Sequence, residues 1–97
     1  MESKDEQRLH VTIKGRVQGV GFRYFVAENA QRLGLCGWVR NRWDGSVEVL
    51  AEGPRADLEK LLSALRRGPT SSYVNEANPQ WEFASGEFTG FHVRTTS

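Results

Sequence analysis

The chain has 97 residues, 38% of them hydrophobic, with 13 Lys+Arg against 12 Asp+Glu and a formal net charge of +1. That size suits one compact domain, and the charge balance excludes both a disordered tail and a nucleic-acid polycation. A single cysteine, Cys36, excludes an intrachain disulfide and any multi-thiolate metal site built by one chain, and the only histidines, His10 and His92, are far apart in sequence.

Residues 1–8 are polar throughout and read as a solvated N-terminal arm, leaving 9–97 as a single domain. Leu9, Val11 and Ile13 alternate with His10, Thr12 and Lys14, which predicts a first strand with one face on a core. The run Gly15–Gly21 breaks the alternation, after which Phe22, Phe25, Val26, Ala30 and Leu33 recur at helical spacing up to Gly34. Gly37–Asn41 predicts a second strand, Asp44-Gly45 a hairpin turn, and Val47, Val49 and Ala51 the partner strand. After Gly53-Pro54, with the proline expected in the first helical turn, Leu58, Leu61, Leu62 and Leu65 mark a second helix ended by Gly68-Pro69. Ser72–Ala77 predicts a fourth strand stopping before Asn78-Pro79, and Phe91–Arg94 a short fifth. The order βαββαβ predicts an α+β, ferredoxin-like split βαβ sandwich, with an antiparallel sheet of order 4-1-3-2 and both helices on one face.

The loop Gly15-Arg-Val-Gln-Gly-Val-Gly-Phe-Arg23 sets three glycines between a strand end and a helix start. Such glycines let backbone N–H groups converge on an anion, the helix N-terminus adds roughly half a positive charge, and Arg23 offers a planar fork of donors. The same glycines also suit a tight connection beside a solvated arginine, so the loop alone leaves both readings open. Walker A spacing would need glycine at Val20, and the dinucleotide fingerprint would need it at Tyr24, so neither nucleotide motif is present.

This segment resembles the first signature of the acylphosphatase family. Gly37-Trp-Val-Arg-Asn41, followed at the matching spacings by Gly45, Val47 and Gly53, resembles the second. The resemblance covers roughly Leu9 to Arg94 and implies the same ferredoxin-like fold. It further implies hydrolysis of the carboxyl-phosphate bond of acyl phosphates, small or protein-bound, to a carboxylate and inorganic phosphate, which also acts as an inhibitor. No cofactor, metal or covalent intermediate is implied. Residue by residue, Gln18, Gly19, Val20, Gly21 and Phe22 would hold the phosphoryl group together with Arg23, and Asn41 would orient the attacking water. Arg42 departs from relatives that carry a small hydroxyl residue there, which puts any hydrogen bond from that position to Asn41 in doubt. Larger hydrogenase-maturation proteins contain a domain of this type, but a free-standing, monomeric, cytoplasmic enzyme is expected.

The main rival is an RNA-binding module, which shares the topology and stacks bases on sheet aromatics. The third strand, Ser46-Val-Glu-Val-Leu-Ala-Glu52, has two acids and no aromatic, which argues against it. No nucleic-acid or membrane partner is therefore expected. A domain that binds acyl phosphate without turnover is the third reading. Glu48 and Glu52 share a strand face and read as solvated, and Trp38, Trp43, Trp81, Phe83 and Phe88 read as packing residues.

Overall fold

The computed structural model describes residues 6–97. Its elements are β1 (Glu6–Arg16), α1 (Phe22–Arg32), β2 (Cys36–Asn41), β3 (Val47–Pro54), α2 (Arg55–Arg67), β4 (Tyr73–Phe83) and β5 (Phe91–Val93). The strands form one sheet in the order β4-β1-β3-β2-β5, so the expected 4-1-3-2 core is present with β5 added beyond β2. The three pairings β4–β1, β1–β3 and β3–β2 are antiparallel, whereas β5 runs parallel to β2, pairing Gly37 with Phe91 and Val39 with Val93.

Alternation along the strands sends Leu9, Val11, Ile13, Val39, Val47, Val49 and Ala51 toward the helices. There they meet Phe22, Val26 and Ala30 of α1 and Leu58, Leu61 and Leu65 of α2, and all of these side chains are buried in one core. The i, i+3, i+4, i+7 leucines of α2 thus become its inward stripe. Pro54 stands one position before the helix, as its N-cap, while Arg66 and Arg67 occupy the last turn, where cations suit the helix dipole. None of the described helices is long and apolar enough to cross a membrane.

Two boundaries, and the burial of several side chains, differ from the sequence reading. Of the expected arm 1–8, residues 1–5 lie outside the described residues, but Glu6, Gln7 and Arg8 belong to β1 and stand in register across the sheet, Gln7 opposite Gly53 and Phe83, Arg8 opposite Glu52 and Glu82. β4 continues through Asn78-Pro79 to Phe83 because it is an edge strand, where a proline has no second neighbour to which it must donate an N–H. Glu48 and Glu52 are buried, each with only 6% exposure, because the sheet face away from the helices is covered by arginines and by the segment 84–90. Glu52 accepts hydrogen bonds from Arg8 Nε at 2.8 Å, from Ser85 N at 2.9 Å and from Gly86 N at 2.9 Å, which fixes that segment. Trp43 and Phe83, expected in packing, are 82% and 97% exposed, while Trp38 is buried with the guanidinium groups of Arg40 and Arg94 stacked on its ring at 4.8 and 4.9 Å.

Candidate active site

The site forms where β1 passes into α1 and where β2 ends. Gly19 (φ 74°) and Gly21 (φ 77°) both take the left-handed conformation that a side chain would oppose. Gly21 is the N-cap of α1, so this helix starts without a side-chain cap, and its first turn holds no acidic residue. The N–H groups of that first turn and the positive end of the helix dipole are therefore left to an external acceptor. A cavity of about 90 Å³ opens there, lined by Val17, Gly19, Gly21, Phe22, Arg23, Tyr24 and Asn41. It is well below the roughly 300–1,000 Å³ of pockets that enclose whole drug-sized ligands, so it fits a small polar group with the remainder of a ligand outside.

The residues expected at the site divide three ways. Gly19, Gly21, Phe22, Arg23 and Asn41 line one cavity, although the last two stand 18 positions apart in sequence. Val20 packs part-buried against the core. The Gln18 side chain turns to the β2–β3 hairpin, where Nε2 donates to the backbone oxygens of Arg42 at 2.8 Å and Ser46 at 2.9 Å. It therefore binds the loop to the hairpin that follows Asn41, and only its backbone remains for a ligand.

Arg23 is held from the C-terminal side, its Nη1 donating to the backbone oxygen of Arg94 at 2.9 Å. That tail follows β2, with Arg94 N donating to Val39 O at 2.8 Å and Ser97 N to Asn41 O at 3.0 Å. Asn41 Oδ1 is buried and has no hydrogen-bond partner among the described residues. Arg42 does not supply one, since its Nη1 donates instead to Glu48 Oε1 at 2.9 Å. A buried carbonyl oxygen without a partner costs about 1–3 kcal/mol, a cost that a donor from outside the chain would offset. Tyr24 and the Arg94 carbonyl were not expected at the site. Tyr24 follows Arg23 directly and could have been inferred from α1, but no sequence signal reports which backbone oxygen meets an arginine.

On the opposite sheet face, Glu48 is the hub of a charged cluster. Its Oε1 accepts from Arg40 Nε at 2.8 Å and Arg42 Nη1 at 2.9 Å, and its Oε2 lies 2.6 Å from His10 Nε2. Burial raises the pKa of this carboxyl, but the hydrogen bonds from His10, Arg40 and Arg42 outweigh it and hold the group below its ordinary range. Glu52 follows the same pattern, with burial opposed by the backbone N–H groups of Ser85 and Gly86 and by Arg8. Among the described residues, no three His, Cys, Asp or Glu side chains cluster as a metal site.

Fold and site together define a ferredoxin-like α+β domain with a glycine-turned loop at an uncapped helix N-terminus. Acylphosphatase is the family model matched, over residues 9–93. The chain is 48% identical over 94 residues to the acylphosphatase of Salinibacter ruber, covering 97% of this chain and 99% of that protein. It is 51% identical over 89 residues to that of Moorella thermoacetica, covering 92% and 95%. The crystal structure of acylphosphatase from Bacillus subtilis superposes with a TM-score of 0.88 at 39% identity, over 91% of this chain and 98% of that one. The chain belongs to the acylphosphatase family and is an enzyme of that type.

Proposed function

We propose that this enzyme hydrolyses acyl phosphates by direct attack of water on phosphorus, with the phosphoryl group in the loop 18–22 against Arg23 and the water oriented by Asn41. The observation that carries the reading is that the uncapped start of α1, Arg23 and Asn41, whose buried Oδ1 has no hydrogen-bond partner among the described residues, line one small cavity. Backbone N–H groups and the guanidinium stabilise the phosphoryl oxygens as charge shifts among them. Asn41 Oδ1 accepts a hydrogen bond from the water and turns its lone pair toward phosphorus, in line with the departing oxygen. A new P–O bond forms, the bond from phosphorus to the acyl oxygen breaks, and its electron pair leaves on the carboxylate. The water's proton passes to a phosphoryl oxygen, giving inorganic phosphate.

This route needs no general acid. The leaving carboxylate has a parent acid with a pKa of about 4 and departs unprotonated at neutral pH. Positioning and electrostatic stabilisation supply most of the catalysis in phosphoryl transfer, which matches a cavity without His, Cys or carboxylate in its lining. The size of the cavity leaves the acyl group in or near solvent, consistent with either a small metabolite or an acyl phosphate carried on a protein.

The test is steady-state hydrolysis of benzoyl phosphate by the purified chain in excess chelator. Equimolar benzoate and phosphate, released with competitive inhibition by inorganic phosphate, is the expected result. Binding of phosphate without turnover would reduce the protein to an acyl-phosphate-binding domain, and activity only after adding a divalent ion would overturn the metal-free route.

A further inference from the structure

Asn41 poses a mechanical problem, because its Oδ1 has no hydrogen bond of its own to set its direction. Its aim must come from the backbone, at the point where β2 ends and the hairpin begins. Strand alternation sends Asn41 to the cavity side and its neighbours Arg40 and Arg42 to the opposite face. Both arginines converge there on a single atom, Glu48 Oε1, at 2.8 Å and 2.9 Å. Glu48 is itself directly opposite Arg40 in the β2–β3 pairing, and the flanking pair Asn41–Val47 is the last of that ladder. His10 closes the other carboxylate oxygen from β1.

We propose that Glu48 is a positioning residue for the hydrolysis, a carboxylate clamp that grips the residues on either side of Asn41 and thereby fixes where its amide points; this rests on Asn41 being the water-orienting group. Glu48 itself lies outside the cavity lining. It holds the strand end that would otherwise fray, with three partners occupying both its oxygens.

Glu52 provides a matched comparison. It is four residues along the same strand, equally buried and also paired with an arginine, but its partners are Arg8 and the segment 85–86. Its loss should weaken the fold without altering Asn41.

The experiment compares Glu48→Gln, Arg42→Gln and Glu52→Gln for benzoyl phosphate turnover and for competitive inhibition by inorganic phosphate, each at a temperature where melting curves show it folded. Glu48→Gln should lower kcat by about 10- to 100-fold, the scale expected for a misplacement of about 1 Å, with phosphate inhibition unchanged. Arg42→Gln, whose side chain is 41% exposed and so tolerates replacement, should lower kcat in the same sense and also leave phosphate inhibition unchanged. Glu52→Gln should lower the melting temperature and leave kcat within about twofold. In the Asn41→Ala background, adding Glu48→Gln should cause no further loss of kcat, because the clamp acts only through that side chain. Additive losses, equal kcat losses in Glu48→Gln and Glu52→Gln, or unchanged kcat in both Glu48→Gln and Arg42→Gln would overturn the clamp. Normal turnover of Asn41→Ala alone would instead refute the assignment of Asn41 on which it rests.

Discussion

Replacing Arg23 by lysine keeps the charge beside the phosphate loop and removes the fork. Arginine offers five N–H donors, and Arg23 uses one of them, through Nη1, on the Arg94 backbone oxygen at 2.9 Å. That anchor holds the guanidinium plane while its remaining donors stay free for two phosphoryl oxygens. Two hydrogen bonds to a charged acceptor contribute about 1.5–3 kcal/mol each, so losing the fork should cost about 3–6 kcal/mol. At about 1.4 kcal/mol per decade this corresponds to a loss of roughly 10²–10⁴-fold in kcat/KM for Arg23→Ala. A lysine ammonium cannot make two parallel bonds to phosphate and also meet the Arg94 carbonyl, so Arg23→Lys should recover less than about tenfold of that loss. The assay is benzoyl phosphate hydrolysis with inorganic phosphate as competitive inhibitor, and both kcat/KM and phosphate affinity should fall. A lysine variant within a few-fold of the unsubstituted enzyme in both would refute the fork and leave a simple charge requirement.

Other outcomes follow from the same geometry. Asn41→Ala should lower kcat by about 100-fold or more, as for removal of one transition-state hydrogen bond, while phosphate inhibition changes little; a parallel loss of both in steady-state kinetics would assign Asn41 to binding or folding. Gln18→Ala leaves the Arg42 and Ser46 carbonyls without their donor and should destabilise the chain by about 1–3 kcal/mol in urea denaturation, with kcat falling more than phosphate affinity; unchanged stability would show that this link carries no load. Because Glu48 and Glu52 titrate below their unfolded value of 4.5, their contribution is complete above that pH and is lost as pH falls through their folded values. Unfolding free energy should thus decline on acidification below that point, and the decline should be shallower in the doubly substituted Glu48→Gln, Glu52→Gln chain; an identical decline would place the acid-sensitive groups elsewhere.

Local patterns in the sequence make most of the scaffold legible. Leu9, Val11 and Ile13 alternate with polar neighbours, and Leu58, Leu61, Leu62 and Leu65 repeat at helical spacing, so each segment announces both its conformation and its buried side. Glycines with no side chain to oppose a left-handed turn mark the loop before α1 in the same way. What escaped the sequence depends on neighbours. Pro79 ends a strand only if both edges are paired, and nothing local tells that β4 lies at the sheet margin. Glu48 and Glu52 look solvated because their cover comes from Arg8, His10, Arg40, Arg42 and the segment 85–86, brought in by strand pairing and by a late stretch of chain. At the site, the glycine loop and Arg23 suit an anion cradle and a plain tight connection alike from sequence, Asn41 alone reads as a turn asparagine, and the roles proposed for them come from the resemblance to the family signatures. The Arg94 carbonyl behind Arg23 is backbone, which leaves no trace in residue type.

Selectivity between leaving groups tests the central claim most directly. An alkyl phosphate must expel an alkoxide, a far stronger base than a carboxylate, and so needs a general acid or a metal at the leaving oxygen. His10 is bound to Glu48 on the far sheet face, and His92 Nε2 lies 2.8 Å from Thr89 O, so neither stands in the cavity lining. The measurement is kcat/KM for an acyl phosphate and an alkyl phosphate of matched size, at one pH and in excess chelator. Rapid hydrolysis of the acyl phosphate with the alkyl phosphate essentially untouched is the result expected of a site built only to hold phosphate and aim water. Comparable values for the two would mean that a group in this enzyme protonates the leaving oxygen, and attack by water without acid assistance would have to be abandoned.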